Sequence, residues 1–178
     1  MSSSLSLVPP ARTLWFTGLS GAGKTTLAQG LLARLLESGR PALVLDGDQM
    51  RQGLNRDLGF AREDRQENAR RLAEVAKLLN AAGVTAIVAI ISPYAEDRAM
   101  ARAIVGAPFA EIHLDASLQV CAARDVKGLY ARAAAGSLPG FTGVSAPYEP
   151  PSQPELVLHT GGDSVDTCLA TLADFVGL

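Results

Sequence analysis

The chain has 178 residues, a length typical of one domain, and its hydrophobic fraction of 48% is that of a globular protein. The formal net charge of −2 and the pI of about 5.7 argue against binding along a nucleic-acid polymer. No apolar stretch approaches the ~20 residues that span a bilayer. We therefore expect a single cytoplasmic domain over residues 1–178, with a flexible segment over residues 1–12 and no membrane partner.

Strand and helix patterns alternate through the first half of the chain. An apolar run at residues 13–17 predicts a buried strand, and leucines repeat with helical spacing over residues 24–37. A second apolar run covers residues 42–45, and a helical pattern covers residues 63–82. β-Branched residues over 84–91 then predict a third strand.

The same alternation continues to the carboxyl end of the chain. Helical patterns cover residues 96–104, 117–124 and 165–176, and strand-like runs cover residues 109–114 and 156–158. Continuous apolar strands that alternate with helices are typical of a parallel sheet covered on both faces. The predicted fold is therefore α/β, a three-layer sandwich with a central parallel β-sheet and helices on both faces.

A glycine-rich motif lies between the first predicted strand and the first predicted helix. Residues 18–25 read GLSGAGKT and match the phosphate-binding pattern GxxxxGK[ST] in the strand, loop and helix context that it requires. Backbone N–H groups in such a loop close around phosphate oxygens, Lys24 reaches the β and γ phosphates, and Thr25 offers a hydroxyl to Mg²⁺. The fold is thus predicted to be of the P-loop nucleoside triphosphate hydrolase type. The predicted ATP-binding residues are Gly18, Leu19, Ser20, Gly21, Ala22, Gly23, Lys24, Thr25 and Thr26.

The regular pattern breaks between residues 125 and 154, where glycine and proline are frequent. A segment of this length without clear periodicity inside a compact domain is usually functional, and a lid over the site is a common use. We predict a lid over residues 125–147. Lys127, Tyr130 and Phe141 are the candidates for its closing surface.

The loop motif identifies a phosphoryl donor and leaves the acceptor open. Asp46 and Asp48 follow the second predicted strand, so one carboxylate can lie near the magnesium ion while the other accepts a hydroxyl proton. A turn that merely ends the strand is the alternative.

Basic residues cluster after this pair of aspartates. Arg51 and Arg65, together with Asn68, offer hydrogen-bond donors that suit an oxyanion such as sulfate or phosphate. For Arg70 and Arg71 a solvated helix face is the favoured interpretation.

Two phenylalanines fit no obvious core stripe. Phe60 follows Gly59 in a polar neighbourhood, and Phe141 lies in the predicted lid. Their rings offer two faces between which an adenine ring can stack, with core packing as the alternative for Phe60.

Six blocks of sequence resemble the adenylyl-sulfate kinase family. They are GLSGAGKTT (18–26), LDGDQMRQGLNRDLGF (45–60), DRQENARR (64–71), ISPYAEDRAMAR (91–102), ARDVKGLYARA (123–133) and GFTGVSAPYE (140–149). The resemblance implies transfer of the γ-phosphoryl group of ATP, with Mg²⁺, to the 3′-hydroxyl of adenosine 5′-phosphosulfate (APS) in sulfate assimilation. It also implies a homodimer and a functional link to ATP sulfurylase.

The resemblance further implies roles for individual residues. Lys24 and Lys127 would stabilise the migrating phosphoryl charge, and Asp48 would orient or deprotonate the 3′-hydroxyl. Mg²⁺ would be held through Thr25 and Asp48. Arg124 is also implied to bind ATP. The implied substrate-binding residues are Asp46, Asp48, Arg51, Phe60, Arg65, Asn68, Lys127 and Phe141.

Ser92 falls where the family is described as carrying a phosphoserine. Direct in-line transfer needs no such intermediate, and a serine that closes a strand is an ordinary turn residue, so the turn role is favoured. Two rivals to the whole assignment stay open at this point. One is a P-loop kinase for a nucleoside monophosphate or a sugar, and the other is a regulatory nucleotide-binding module without turnover.

Overall fold

The computed structural model describes residues 10–178 as five strands and seven helices. Most of the predicted flexible segment, residues 1–9, lies outside the described residues. The strands are β1 (Thr13–Thr17), β2 (Ala42–Asp46), β3 (Thr85–Ala89), β4 (Phe109–Leu114) and β5 (Leu156–Leu158). The helices are α1 (Lys24–Glu37), α2 (Gly47–Met50), α3 (Arg62–Ala81), α4 (Ala95–Val105), α5 (Leu118–Arg124), α6 (Leu129–Ala134) and α7 (Val165–Val176).

All the strand pairs are parallel, and the strand order is β2, β3, β1, β4, β5. The chain builds one side of the sheet with β2 and β3 and then crosses β1 to add β4 and β5. The loop after β1 therefore lies at the point where the direction of winding reverses, and ligands of open α/β sheets bind at this position.

Two hydrophobic cores cover the two faces of the sheet, and β1 contributes to both. Leu14 and Phe16 pack in the core beneath α1 and α7, whereas Trp15 between them packs in the core beneath α3 and α4. All three side chains have no exposed surface. Burial of each contributes on the order of 1.5–3 kcal/mol. The predicted parallel sheet between two helical layers is confirmed.

Two short helices were not predicted. Helix α2 has four residues and α6 has six, so neither is long enough to show a helical repeat in the sequence. Helix α6 lies inside the predicted lid, where the Asp125 carboxylate accepts hydrogen bonds from the backbone N–H groups of Tyr130 and Ala131, both at 3.0 Å. The lid segment is thus partly helical.

The third strand is shorter than predicted. It ends at Ala89 because the chain turns at Ser92, whose φ of 38° is a left-handed value that a strand does not contain. No helix between residues 10 and 178 combines the length and the apolar character needed to cross a bilayer.

Candidate active site

The loop between β1 and α1 has the backbone shape that its glycines allow. Gly18 has a φ of 154°, and a Cβ there would lie 2.8 Å from the Leu114 carbonyl oxygen, which is too close for any side chain. Gly23 has a φ of 98° and leads directly into α1. The first N–H groups of α1 and the positive end of its dipole therefore face the loop, which suits an anion.

Lys24 lies across the mouth of this loop. Its Nζ donates hydrogen bonds to the carbonyl oxygens of Gly18 and Leu19, both at 2.8 Å. The pKa of Lys24 is lowered to about 8, chiefly by burial and to a smaller degree by the charge of Lys127, while Asp46 and Asp48 oppose the shift. The ammonium group is thus held inside the loop and has no carboxylate bound to it, so it is available to a phosphate.

Asp46 connects the end of β2 to the start of α1. One oxygen of its carboxylate accepts a hydrogen bond from the Thr25 hydroxyl at 2.7 Å. The other oxygen caps α2 by accepting from the backbone N–H of Asp48 at 3.0 Å. The carboxylate is 9% exposed, so its position is well defined by these bonds.

The predicted metal pair was Thr25 with Asp48, but Thr25 bonds to Asp46. Hydroxyl and carboxylate oxygens are ligands that Mg²⁺ accepts. Among the described residues no group of three or more His, Cys, Asp or Glu side chains is placed to hold a metal. That fits Mg²⁺, which is usually held by one or two protein oxygens and completed by phosphate oxygens and water.

Asp48 and Lys127 join the end of β2 to the lid. Their side chains form an ion pair, with 63% and 57% of their respective surfaces exposed. An exposed pair of this kind contributes about 0–1 kcal/mol to stability. Its importance is positional, because it places a carboxylate and an ammonium group next to each other within reach of solvent.

The turn between α2 and α3 presents a cation and an aromatic ring. Arg51 donates to the carbonyl oxygens of Leu58 at 3.1 Å and Gly59 at 2.6 Å. Its guanidinium lies 4.6 Å from the centroid of the Phe60 ring, within the range of a cation–π contact. Phe60 is 67% exposed, so a face of its ring is open to a ligand.

Arg65 connects this turn to the lid. Its guanidinium donates to the carbonyl oxygen of Phe60, to the Thr142 hydroxyl and to the carbonyl oxygen of Gly140, each at 2.9 Å. Because the three donors form a rigid fork, they fix both the turn at Phe60 and the lid residues Gly140 and Thr142 relative to α3. The predicted substrate-binding residues Arg51, Phe60 and Arg65 are therefore brought together by the fold.

Tyr130 of the lid and Arg124, which directly precedes the lid, bond to the phosphate loop. The Tyr130 hydroxyl donates to the Ser20 carbonyl oxygen at 2.8 Å. Arg124 donates to the carbonyl oxygen of Gly21 at 3.2 Å and to that of Thr160 at 2.6 Å. The end of the lid, residues 143–147, borders an open cavity of about 560 Å³ beside Leu19.

The Phe141 ring, which was predicted to stack on adenine, is not exposed as a free stacking surface. It is 7% exposed and packs edge-on against the Tyr130 ring at a centroid distance of 5.0 Å. A ring buried in this way offers little surface to a base. Stacking on both Phe60 and Phe141 therefore requires the lid to move.

Ser92 lies beneath the site and is 5% exposed. Its Oγ accepts a hydrogen bond from the Trp15 indole at 3.1 Å, and its carbonyl oxygen accepts from Arg98 at 2.7 Å. A phosphate on Oγ of Ser92 would displace the Trp15 indole from its buried hydrogen bond with that oxygen.

Sequence reasoning missed Asn55, which is fully buried and donates to the Asn68 side chain at 3.0 Å. It also missed Arg98, which binds both Ser92 and the Glu149 carbonyl oxygen at the end of the lid segment. An asparagine in a turn and an arginine on a helix are common, so neither residue type gave a signal.

The chain is similar to proteins of known function. The family model described as adenylylsulphate kinase matches residues 10–159. An adenylyl-sulfate kinase of Acaryochloris marina is 51% identical over 164 residues, which are 92% of this chain and 80% of that protein. An adenylyl-sulfate kinase of Paraburkholderia xenovorans is 53% identical, over 89% of this chain and 91% of that protein.

Solved structures agree with the sequence matches. The Mycobacterium tuberculosis APS kinase CysC in complex with AMPPNP and APS is 47% identical, with a TM-score of 0.91, and the match covers 96% of this chain and 100% of that chain. A sugar kinase from Janibacter is 21% identical with a TM-score of 0.66, over 94% of this chain and 95% of that one. The second likeness extends to the fold alone.

Proposed function

Because this chain belongs to the adenylyl-sulfate kinase family, we propose that it transfers the γ-phosphoryl group of ATP to the 3′-hydroxyl of APS. The products are 3′-phosphoadenosine 5′-phosphosulfate and ADP. The observation that carries the proposal is the meeting of two surfaces at one edge of the sheet. The phosphate loop of Lys24 lies on one side, and the group of Arg51, Phe60 and Arg65 lies on the other, with Asp48 and Lys127 joining the strand end to the lid.

The donor is held by the loop between β1 and α1. Backbone N–H groups of the loop and of the first turn of α1 bind the phosphate oxygens, and Lys24 exchanges its two carbonyl partners for β and γ phosphate oxygens. Thr25 and Asp48 would hold Mg²⁺, and Asp46 supports both by accepting from the Thr25 hydroxyl and the Asp48 N–H. Bound Mg²⁺ neutralises charge on the β and γ phosphates. Arg124 completes the nucleotide site by joining the loop to Thr160.

The acceptor hydroxyl meets Asp48. Its carboxylate is exposed and can accept the proton of the 3′-hydroxyl or orient its oxygen toward the γ-phosphorus. The ion pair with Lys127 must open for this, and the freed ammonium group then lies beside the phosphoryl group in transit. Catalysis by these two groups is mainly positioning and electrostatic stabilisation.

The phosphosulfate is recognised by the donors on α3 and on the preceding turn. Arg51, Arg65 and Asn68 supply N–H groups that match a sulfate or phosphate oxygen. The exposed ring of Phe60 stacks on the adenine, and Phe141 reaches its other face when the lid moves. Closure of the lid excludes water, which would otherwise take the phosphoryl group in place of the hydroxyl.

The test is an acceptor panel. The protein is incubated with ATP and Mg²⁺ and with APS, AMP, gluconate or no acceptor, and the nucleotide products are separated by chromatography. We expect a 3′-phosphorylated product from APS alone, and its loss in Asp48→Asn with ATP binding retained. Turnover only with AMP or gluconate would refute the assigned acceptor, and ATP binding without turnover would favour a regulatory module.

We further infer a cytoplasmic homodimer that receives APS from an ATP sulfurylase. The support is the family resemblance and the need for an ATP-dependent adenylylation of sulfate to supply the substrate. An APS kinase from Thiobacillus denitrificans, 35% identical over 94% of this chain and 29% of that chain, is hexameric. Light scattering of the purified protein at several concentrations distinguishes a dimer from a monomer or a hexamer.

A further inference from the structure

Two buried asparagines face each other beneath the acceptor surface. Asn55 lies in the turn after α2 and has no exposed surface, and Asn68 on α3 is 4% exposed. The Nδ2 group of Asn55 donates a hydrogen bond of 3.0 Å to Oδ1 of Asn68. This bond connects the turn that carries Arg51 and Phe60 to the helix that carries Arg65.

The bond couples the orientations of the Asn55 and Asn68 amides. A side-chain amide has an accepting oxygen at one end and a donating nitrogen at the other, and a rotation of 180° exchanges them. Asn55 donates at this contact, so Oδ1 of Asn68 faces it and Nδ2 of Asn68 points elsewhere. A contact between two amides needs one donor and one acceptor, so Asn68 can reverse only if Asn55 reverses with it. Nδ2 of Asn68 donates no hydrogen bond to another residue within 10–178, although Asn68 is only 4% exposed, so its donor is left for a ligand.

The position of Asn68 on α3 places this donor beside Arg65. The two residues are three positions apart in the helix, so they lie on the same face one turn from each other. An oxyanion bound by Arg65 accepts a hydrogen bond from an amide nitrogen and is repelled by an amide oxygen. Only the orientation in which Asn55 donates and Asn68 accepts therefore suits an anionic substrate.

The other end of Asn55 supports a role beyond filling space. Its Oδ1 is buried and has no hydrogen-bond partner among the described residues. An unpaired buried acceptor is unfavourable for folding, and an apolar side chain of similar volume would avoid this cost. The unpaired oxygen is explained if the Nδ2 group of Asn55 is needed as the donor to Asn68.

We propose that Asn55 is a positioning residue that holds the Asn68 amide with its nitrogen toward the sulfate or phosphate oxygens of the substrate. The inference rests on the proposed function, since it assigns Asn68 to the APS site. It names Asn55 as a determinant of APS affinity that acts only through Asn68.

The test is a double-mutant cycle with Asn55→Leu, Asn68→Ala and the double variant. Steady-state kinetics give KM for APS, KM for ATP and kcat, and thermal unfolding monitors the fold. We expect Asn55→Leu to raise KM for APS about tenfold and to leave KM for ATP within twofold. The double variant should bind APS no more weakly than Asn68→Ala alone, because the two changes remove the same interaction.

Asn80→Leu is the matched control. Asn80 is in the same helix, where it accepts from the Thr13 hydroxyl at 2.6 Å and donates to the Val84 carbonyl oxygen at 3.0 Å, beneath the opposite end of the sheet. Its loss should lower the melting temperature without changing KM for APS. If Asn55→Leu does not fold, Asn55→Asp replaces it. An ionised carboxylate cannot donate, so KM for APS should rise as that carboxyl group loses its proton.

Two outcomes overturn the inference while the proposed function stands. One is an unchanged KM for APS in Asn55→Leu. The other is a rise of the same size in the Asn68→Ala background, which would mean that Asn55 acts by shaping the turn of Arg51 and Phe60. Failure of the unsubstituted protein to phosphorylate APS is a separate result, and it would overturn the proposed function.

Discussion

The donor side and the acceptor side of the site are built in different ways. The donor side is one continuous segment, residues 18–25, in which Lys24 bonds to the backbone of the same segment. The acceptor side joins the end of β2, the turn before α3, α3 itself and the lid, and it depends on long side chains such as Arg65. A phosphate loop is therefore a local structure, whereas the acceptor surface is a tertiary one.

Exposure follows the same division. On the donor side Gly18 and Ala22 are buried. On the acceptor side Phe60, Asp48 and Lys127 are each more than half exposed. The donor side is thus preformed, and the acceptor side has side chains that can rearrange when substrate binds and the lid moves.

Substitution of Lys24 should have the largest effect and should test the donor side alone. Lys24→Ala is expected to lower kcat by about 10³-fold, because the phosphoryl charge loses its main cationic partner. The melting temperature should change little, since Lys24 bonds only to two loop carbonyls. ADP release measures the rate, and thermal unfolding monitors the fold. Turnover at the normal rate would refute the donor site.

Substitution of Arg65 tests whether the acceptor side depends on a tertiary connection. Arg65→Ala is expected to raise KM for APS about 10- to 100-fold, because hydrogen bonds from a charged group contribute about 1.5–3 kcal/mol. KM for ATP should change far less. Arg65→Lys is the matched control, since it keeps the charge and loses the fork of three donors. If both variants raised KM for ATP as much as KM for APS, the division of the site into a donor side and an acceptor side would be contradicted.

The two phenylalanines should separate binding from stability. Phe60→Ala is expected to weaken APS binding by about 1–3 kcal/mol if the ring stacks on the base. The melting temperature should be nearly unchanged because the ring is 67% exposed. Phe141→Ala should weaken APS binding by a similar amount and also destabilise the fold by about 3–5 kcal/mol, because its ring is buried against Tyr130.

Calorimetry with APS and thermal unfolding measure the two effects separately. Phe141→Leu keeps an apolar side chain in the core and serves as the control for stability. Unaltered APS binding in Phe141→Ala would exclude stacking by that ring.

The pH dependence of ATP binding gives a smaller effect on the donor side. The pKa of Lys24 is about 8 in the ligand-free protein, so its positive charge is present at pH 7 and is largely lost by pH 9. The phosphates need that charge, and we expect the dissociation constant of ATP to rise up to about tenfold over this interval. Calorimetric titration at both pH values measures it. Lys24→Arg stays charged and should remove the rise, and an equal rise in that variant would show that another group titrates.

Local patterns in the sequence were enough for much of the fold. The apolar run of β1, the leucine repeat of α1 and the GLSGAGKT motif each lie within one stretch of chain, and the structure has a strand, a helix and a phosphate loop there. Helices α2 and α6 escaped prediction because a helix of four or six residues shows no repeat. The end of β3 was placed too late because the turn at Ser92 follows apolar residues without a glycine.

The candidate site was predictable only in part. The sequence indicated Asp46 and Asp48 as a pair, but their division of work depended on which carboxylate meets Thr25, a residue more than twenty positions away. Likewise, the residues next to Phe141 in the sequence do not show whether its ring is exposed or buried. Its packing against Tyr130 depends on how the lid segment folds back on the phosphate loop.

The sequence by itself determined the alternation of strands and helices, the phosphate loop and the family to which the chain belongs, because each is written in contiguous residues with a fixed spacing. The tertiary structure alone decided that Arg65 binds Gly140 and Thr142, that Asp48 meets Lys127, and that Asn55 donates a hydrogen bond to Asn68. These contacts join segments far apart along the chain. Their geometry follows from the parallel sheet, which brings the carboxyl ends of its strands to one edge.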